Sequence, residues 1–147
     1  MPLIIRWPQK IAKGSVSQRL VANYDLLPTI TDITGYTEAT ASDGISFYRD
    51  LIQGSADEAH KFVVYSSFYG PTLIANDGWK IRYYLKNDVF ELYYLPDDFQ
   101  EKNNLSEKFP DKLTELKTKM LKACDGNFNN GLYRLSNQIK IPAIHSK

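Results

Sequence analysis

Between Trp79 and Leu105 the chain reads WKIRYYLKNDVFELYYLPDDFQEKNNL, and no other stretch restricts the fold as much. Trp79, Ile81, Tyr83 and Leu85 alternate with Lys80, Arg82, Tyr84 and Lys86, the two-residue period of a half-buried strand. Asn87-Asp88 is turn chemistry, because short polar side chains bond back to their own backbone and tolerate positive φ. Phe90, Leu92 and Tyr94 supply the inward face of a returning strand. Pro96 ends its ladder, since it has no N–H to donate. The sequence therefore predicts a β-hairpin followed by an ordered, acidic, Asn-rich corner.

Two shorter strands are expected before it, over Lys61 to Ser67 and Thr72 to Ala75, with Asp77-Gly78 as a hairpin turn into Trp79. Pro110 and Asp111 open a helix expected to reach about Ala123. Its apolar face is Leu113, Leu116, Met120, Leu121 and Cys124 at spacings of three and four, and Gly126 stops it. Nearer the N-terminus, Leu3-Ile4-Ile5 reads as a short buried strand of a parallel sheet. Leu20 to Ala22 is a second short apolar stretch, strand or helix. Asp25 is the N-cap candidate of a helix from about Leu26 to Thr34. Pro28 lies in that helix's first turn, Leu26, Leu27, Ile30 and Ile33 form its stripe, and Gly35 ends it. Ile45, Phe47, Tyr48, Leu51 and Ile52 make another apolar patch. Tyr36 to Asp43 is expected to be a surface loop, Gly54 to His60 a boundary, and the tail from Asn127 to lie across the surface or fray.

At 147 residues the chain has the length of one domain, or of a small domain with an appendage. With 18 basic and 17 acidic residues the net charge is +1, and no like-charged block suggests a nucleic-acid partner. No apolar run reaches the roughly 18 residues of a membrane span. The N-terminus is not expected to be a signal peptide, because Arg6 and Pro8 follow Leu3-Ile4-Ile5 at once.

Candidate chemistry is sparse. His60 and His145 have no cysteine or second histidine at metal-ligand spacing, and a surface role is expected for both. Cys124 lies on the apolar helix face and is expected to be a buried thiol, with no basic cluster to lower its pKa. Asp125 to Gly131 starts like a calcium loop, but the glycine comes one place late and Ser136 stands where a bidentate Glu is needed. A helix-terminating Asn/Gly loop is the better reading. Asn104-Leu105-Ser106 is a glycosylation sequon. An aromatic content of 13% raises the question of saccharide stacking. Only the Tyr65, Phe68, Tyr69 region and the paired tyrosines of the hairpin offer rings for it, and most of those tyrosines read as sheet packing.

The order of segments carries a resemblance that no single motif does. Pro2-Leu3-Ile4-Ile5-Arg6-Trp7-Pro8, Lys10, Gly14-Ser15, Asp25-Leu26-Leu27-Pro28-Thr29 with Gly35, and Asp43-Gly44-Ile45-Ser46-Phe47 follow one another as in sulfatases. Gly78-Trp79-Lys80 and Leu92-Tyr93-Tyr94-Leu95 continue the series, and Asp98, Glu101, Asn104 and Leu105 complete the pattern LYDLxxDPxExxNL. Two positions depart from it: Tyr94 stands where the family usually has Asp, and Phe99 where it has Pro. The chain thus resembles the C-terminal portion of a sulfatase, of the arylsulfatase family and the alkaline-phosphatase-like superfamily.

The resemblance implies an α+β fold: a small antiparallel β-sheet packed against a C-terminal helix, preceded by the last strand and helix of an alkaline-phosphatase-like α/β domain. Residues 1–54 would be the remnant of that large domain, 55–126 the C-terminal subdomain and 127–147 a tail. The family's calcium and formylglycine lie in the absent N-terminal part, so no cofactor and no catalytic or metal residue is expected in this chain. The chain alone is expected to be inactive, with a structural and substrate-cleft role. Phe68 and Tyr69 are the candidate substrate-binding residues. The implied partners are an N-terminal sulfatase domain and a sulfated saccharide or aryl sulfate. Self-association through residues 1–54 is also expected, and the resemblance implies a periplasmic, secreted or lysosomal setting. The alternatives are a stand-alone carbohydrate-binding or interaction module, or the equivalent part of a phosphonate or phosphate ester hydrolase.

Overall fold

The structure is a computed structural model that describes residues 3–36, 43–54 and 59–129. Most of the 36–43 loop, of the 54–60 boundary and of the tail, with His145, lies outside the described residues. Two compact units divide at Met1–Val63 and Val64–Lys147.

In the first unit a 3-10 turn, Asn23–Asp25, leads into helix α1, Leu26–Thr34, over the span that the sequence predicts. Gly35 ends α1 in the left-handed region (φ 70°), and α2, Tyr48–Gln53, ends likewise at Gly54. Asp25 occupies the N-cap position but does not cap with its side chain. Its carboxylate turns away and accepts the Ala22 N–H at 2.7 Å and the Ile45 N–H at 2.9 Å. It also meets His60 Nε2 at 2.7 Å. His60 is therefore not a surface residue: it is buried, with Tyr24 edge-on to its ring. Thr29 adds a second tie, its hydroxyl donating to the Asp25 carbonyl at 2.7 Å and accepting the Phe47 N–H at 3.1 Å.

Polar bonds, rather than the α1 aliphatics, thus fix residues 45–47 against α1. Leu26, Leu27, Ile30 and Ile33 are between 38% and 54% exposed, so the predicted stripe exists but faces outward. Leu3 to Trp7 forms no ladder with any described residue, and Leu20 to Ala22 forms no regular element. A strand exists only where a neighbour takes up its backbone hydrogen bonds. The strand expected at Leu3-Ile4-Ile5 finds none here.

Four strands form a sheet in the order β1 (Phe62–Ser66), β2 (Pro71–Ala75), β3 (Trp79–Tyr84), β4 (Val89–Tyr94), the last three wholly in the second unit. β2 and β3 are antiparallel with Leu73 opposite Ile81, and β3 and β4 with Ile81 opposite Leu92. These three side chains, with Leu116 and Met120 of α3 (Pro110–Ala123), are fully buried and form the core. α3 keeps the predicted bounds, and its end is tied by the Gly126 N–H to the Leu121 carbonyl at 2.9 Å. Phe128 packs its ring 4.7 Å from Tyr83 and 5.6 Å from Phe90, so the described start of the tail is anchored rather than frayed.

The sheet departs from simple alternation on its second face. Lys80 and Tyr93, on the face opposite Ile81 and Leu92, are only 6% and 5% exposed. The reason lies 21 residues further on: Glu101 accepts Lys80 Nζ at 2.6 Å and Arg82 Nη2 at 2.5 Å. A buried ammonium is tolerated where an opposite charge meets it.

Candidate functional site

The β1–β2 connection presents the most exposed aromatic group among the described residues. Phe68 is 91% and Tyr69 61% exposed. The loop beneath them is tightly bonded: Ser67 and Gly70 exchange backbone bonds at 3.0 and 3.3 Å, and the Ser67 hydroxyl donates to the Gly70 carbonyl at 2.8 Å. The Leu85 N–H donates to the Tyr69 carbonyl at 3.0 Å, tying the tip to the end of β3. Gly70 has φ 149°, and a Cβ there would lie 2.2 Å from the Tyr83 carbonyl oxygen, so only glycine lets the two strands come this close. Tyr69 leans on Tyr84 at 5.7 Å, and the Arg82 guanidinium lies over the Tyr84 ring. The two predicted site residues are thus adjacent, outward and held by a rigid base. Sequence reading named Tyr84 only among the hairpin's paired tyrosines and missed Arg82; strand pairing brings Tyr84 against Tyr69.

The corner behind the hairpin is structural. The Asp98 carboxylate accepts the Asn103 N–H at 2.7 Å and the Lys102 N–H at 3.1 Å. Asn104 Oδ1 accepts both the Leu92 and the Ser106 N–H at 3.0 Å, and the Leu105 N–H donates to the Leu92 carbonyl at 2.7 Å. The acid and amide positions of the corner pattern are therefore spent on backbone donors and on the Lys80–Arg82 pair. Of the two departing positions, Tyr94 lays its ring 5.1 Å from Trp79, and Phe99 is 84% exposed.

The Asn103 and Lys102 N–H groups hold the Asp98 carboxyl below its ordinary value of 3.8. A carboxyl depressed in the folded state adds stability above its unfolded pKa and loses it as pH falls through the folded value. The urea midpoint of the chain is thus expected to drop below about pH 4. In Asp98→Asn this acid-side drop should be smaller; an identical pH profile in the two proteins would refute the assignment.

Reactive groups do not assemble. Burial, and then the nearby Asp125 charge, push the Cys124 thiol up from its ordinary range, and a protonated buried thiol is a poor nucleophile. The residues after it are Asp125, Gly126, Asn127 and Phe128, which do not fit a Cys/Ser-x-Pro-x-Arg formylglycine site. No group of three or more His, Cys, Asp or Glu side chains suited to a metal occurs among the described residues.

Comparison with known proteins agrees with this architecture. The family model of the N-sulphoglucosamine sulphohydrolase C-terminal region matches residues 1–126. A Bacteroides thetaiotaomicron N-acetylglucosamine-6-O-sulfatase is 29% identical over 116 residues, covering 71% of this chain and 21% of that protein. An ulvan-active sulfatase of Formosa agariphila is 38% identical over 63 residues, covering 43% of this chain and 12% of that one. The Bos taurus N-acetylglucosamine-6-sulfatase is 43% identical over 58 residues, covering 39% and 10%. Among solved structures, a 2-O GAG sulfatase matches with a TM-score of 0.61 at 27% identity, over 69% of this chain and 24% of that chain. A protein solved with its substrate D-glucosamine-2-N,6-O-disulfate shares the fold at a TM-score of 0.69 and 23% identity, over 84% and 28%. The chain spans about a fifth or less of the length of these curated relatives. These matches favour the sulfatase reading over a stand-alone module or a phosphate ester hydrolase. The chain belongs to the N-sulphoglucosamine sulphohydrolase C-terminal family and is a C-terminal sulfatase portion.

Proposed function

We propose that the chain serves a sulfatase that hydrolyses sulfate esters of saccharides, contributing scaffold and one wall of the substrate cleft rather than the reacting groups. Phe68 and Tyr69 form the rim of that wall, where a sugar ring lays its apolar face on a phenyl or phenol ring. The observation that carries the role is the display of Phe68, nearly fully exposed, on a loop locked by Ser67 and Gly70. An exposed ring held in place loses little entropy when it binds. In the enzyme assembled with its N-terminal domain, Phe68→Ala is expected to raise KM for a sulfated oligosaccharide about tenfold, with kcat little changed. An unchanged KM for both Phe68→Ala and Tyr69→Ala would remove the rim from the account.

The first unit supplies the joint to the catalytic domain. The outward aliphatics of α1 and the unpaired Leu3-Ile4-Ile5 are the apolar surface and strand edge that a neighbouring sheet and helices cover. The isolated chain is therefore expected to self-associate through residues 1–54. Sedimentation velocity should show concentration-dependent dimers or larger species, and Ile30→Lys should shift them toward monomer. A monomer at the highest accessible concentration would contradict this.

A further inference from the structure

Beside the corner, the end of the sheet borders an open hollow of about 480 Å3, a size that small ligands occupy. Trp79, Tyr94 and Phe109 wall it. The Trp79 ring centre lies 5.1 Å from Tyr94 at 47° and 5.2 Å from Phe109 at 67°. Rings inclined in this way form a cup, not a flat platform, and a cup suits a methyl-sized group better than the broad face of a sugar. The rim is polar and exposed, with Asp97, Asn103 and Lys108. Neighbouring Asp98 is already engaged by the Lys102 and Asn103 N–H groups, whereas the Asp97 carboxylate takes no hydrogen bond from the described residues.

An apolar cup with one free carboxylate acceptor, and with ammonium and amide donors at its mouth, has the complement of an acetamido group. The methyl rests against the open faces of these rings, the amide N–H donates to Asp97, and the carbonyl oxygen accepts from Lys108. A quaternary ammonium would also suit three rings, but the Lys108 ammonium already lies 5.5 Å over Phe109 and repels a second cation. An apolar peptide side chain would leave the charged rim unmatched. We propose that this hollow binds the acetamido group of an N-acetylhexosamine unit in a glycan. The second ring of the cup is Tyr94, a position at which the chain departs from the corner pattern, so the site belongs to this chain rather than to the corner in general. The inference deepens the saccharide reading above, yet its test needs neither sulfate nor the catalytic domain.

The test is a titration of the full chain with N-acetylglucosamine, and in parallel with glucose, followed by the indole N–H resonance of Trp79. Saturable shifts with a Kd on the order of millimolar are expected for N-acetylglucosamine and none for glucose. Asp97→Ala, an exposed position outside the core, should weaken binding about tenfold, and Tyr94→Asp should abolish it. Absence of saturable shifts, equal shifts with glucose, or affinity unaltered by both substitutions would overturn the proposal. Because the ligand is unsulfated, a negative result leaves the sulfatase reading intact, and loss of that reading would not alter this binding.

Discussion

Replacing Asp25 by alanine is expected to destabilise the first unit by roughly 3–5 kcal/mol, the cost of leaving buried partners of a removed charge unpaired. The carboxylate is 1% exposed and answers three donors: the Ala22 and Ile45 N–H groups and His60 Nε2. Alanine leaves all three without this acceptor, His60 in a buried position and the two N–H groups in part-buried ones. Small domains have only about 5–15 kcal/mol in hand, so the unit should lose much of its margin. Trp7 reports on this unit, where it stacks with Tyr48, and Trp79 reports on the other. With a urea slope of about 1–3 kcal/mol/M, the Trp7 midpoint should fall by at least about 1 M. His60→Ala should cost about 1–3 kcal/mol, because two backbone donors remain on Asp25. Equal midpoints for wild type and Asp25→Ala would refute the role assigned to this carboxylate.

Glu101→Ala should have the second largest effect, about 2–4 kcal/mol, carried by the second unit. Lys80 is buried, and its ammonium loses its carboxylate; Arg82 loses one of two. The cost stays below that of a fully buried pair because the Glu101 side chain is 22% exposed and solvent screens part of the interaction. Glu101 also holds a left-handed backbone, φ 56°, which a side chain tolerates at a cost of about 1 kcal/mol. Two further variants separate the terms. Glu101→Gly relieves the backbone and should cost less than Glu101→Ala. Lys80→Met in the Glu101→Ala background removes the orphaned ammonium and should recover part of the loss. A double-mutant cycle with no coupling between positions 80 and 101 would show that the pair does not stabilise the corner.

What could be read from the sequence was what neighbouring residues decide. α1 and α3 keep their expected spans because a 3.6-residue period is bounded by punctuating residues, Gly35 for one and Pro110 and Gly126 for the other. The hairpin follows from strict alternation and from turn chemistry at Asn87-Asp88. Periodicity names a face but not what lies against it. Thus the α1 stripe is present but outward, and Lys80 is inward because its partner is 21 residues away. His60 was legible only as a lone histidine, since its acceptor stands 35 residues earlier. Asp25 looked like a cap because caps are local, whereas its actual work ties segments 20 and 35 residues apart. The Phe68–Tyr69 tip was identifiable as an aromatic loop. Its rigidity was not, because that depends on Gly70 passing the backbone of Tyr83.

At the centre of the account, this chain has the fold of a sulfatase's C-terminal portion, and the reacting groups are proposed to lie outside it. The most direct measurement is hydrolysis of p-nitrophenyl sulfate by the purified full chain, with calcium supplied and with Cys124→Ala alongside. The expected result is no release of p-nitrophenol above buffer for either protein. Turnover that follows the chain through purification and disappears in Cys124→Ala would contradict the account.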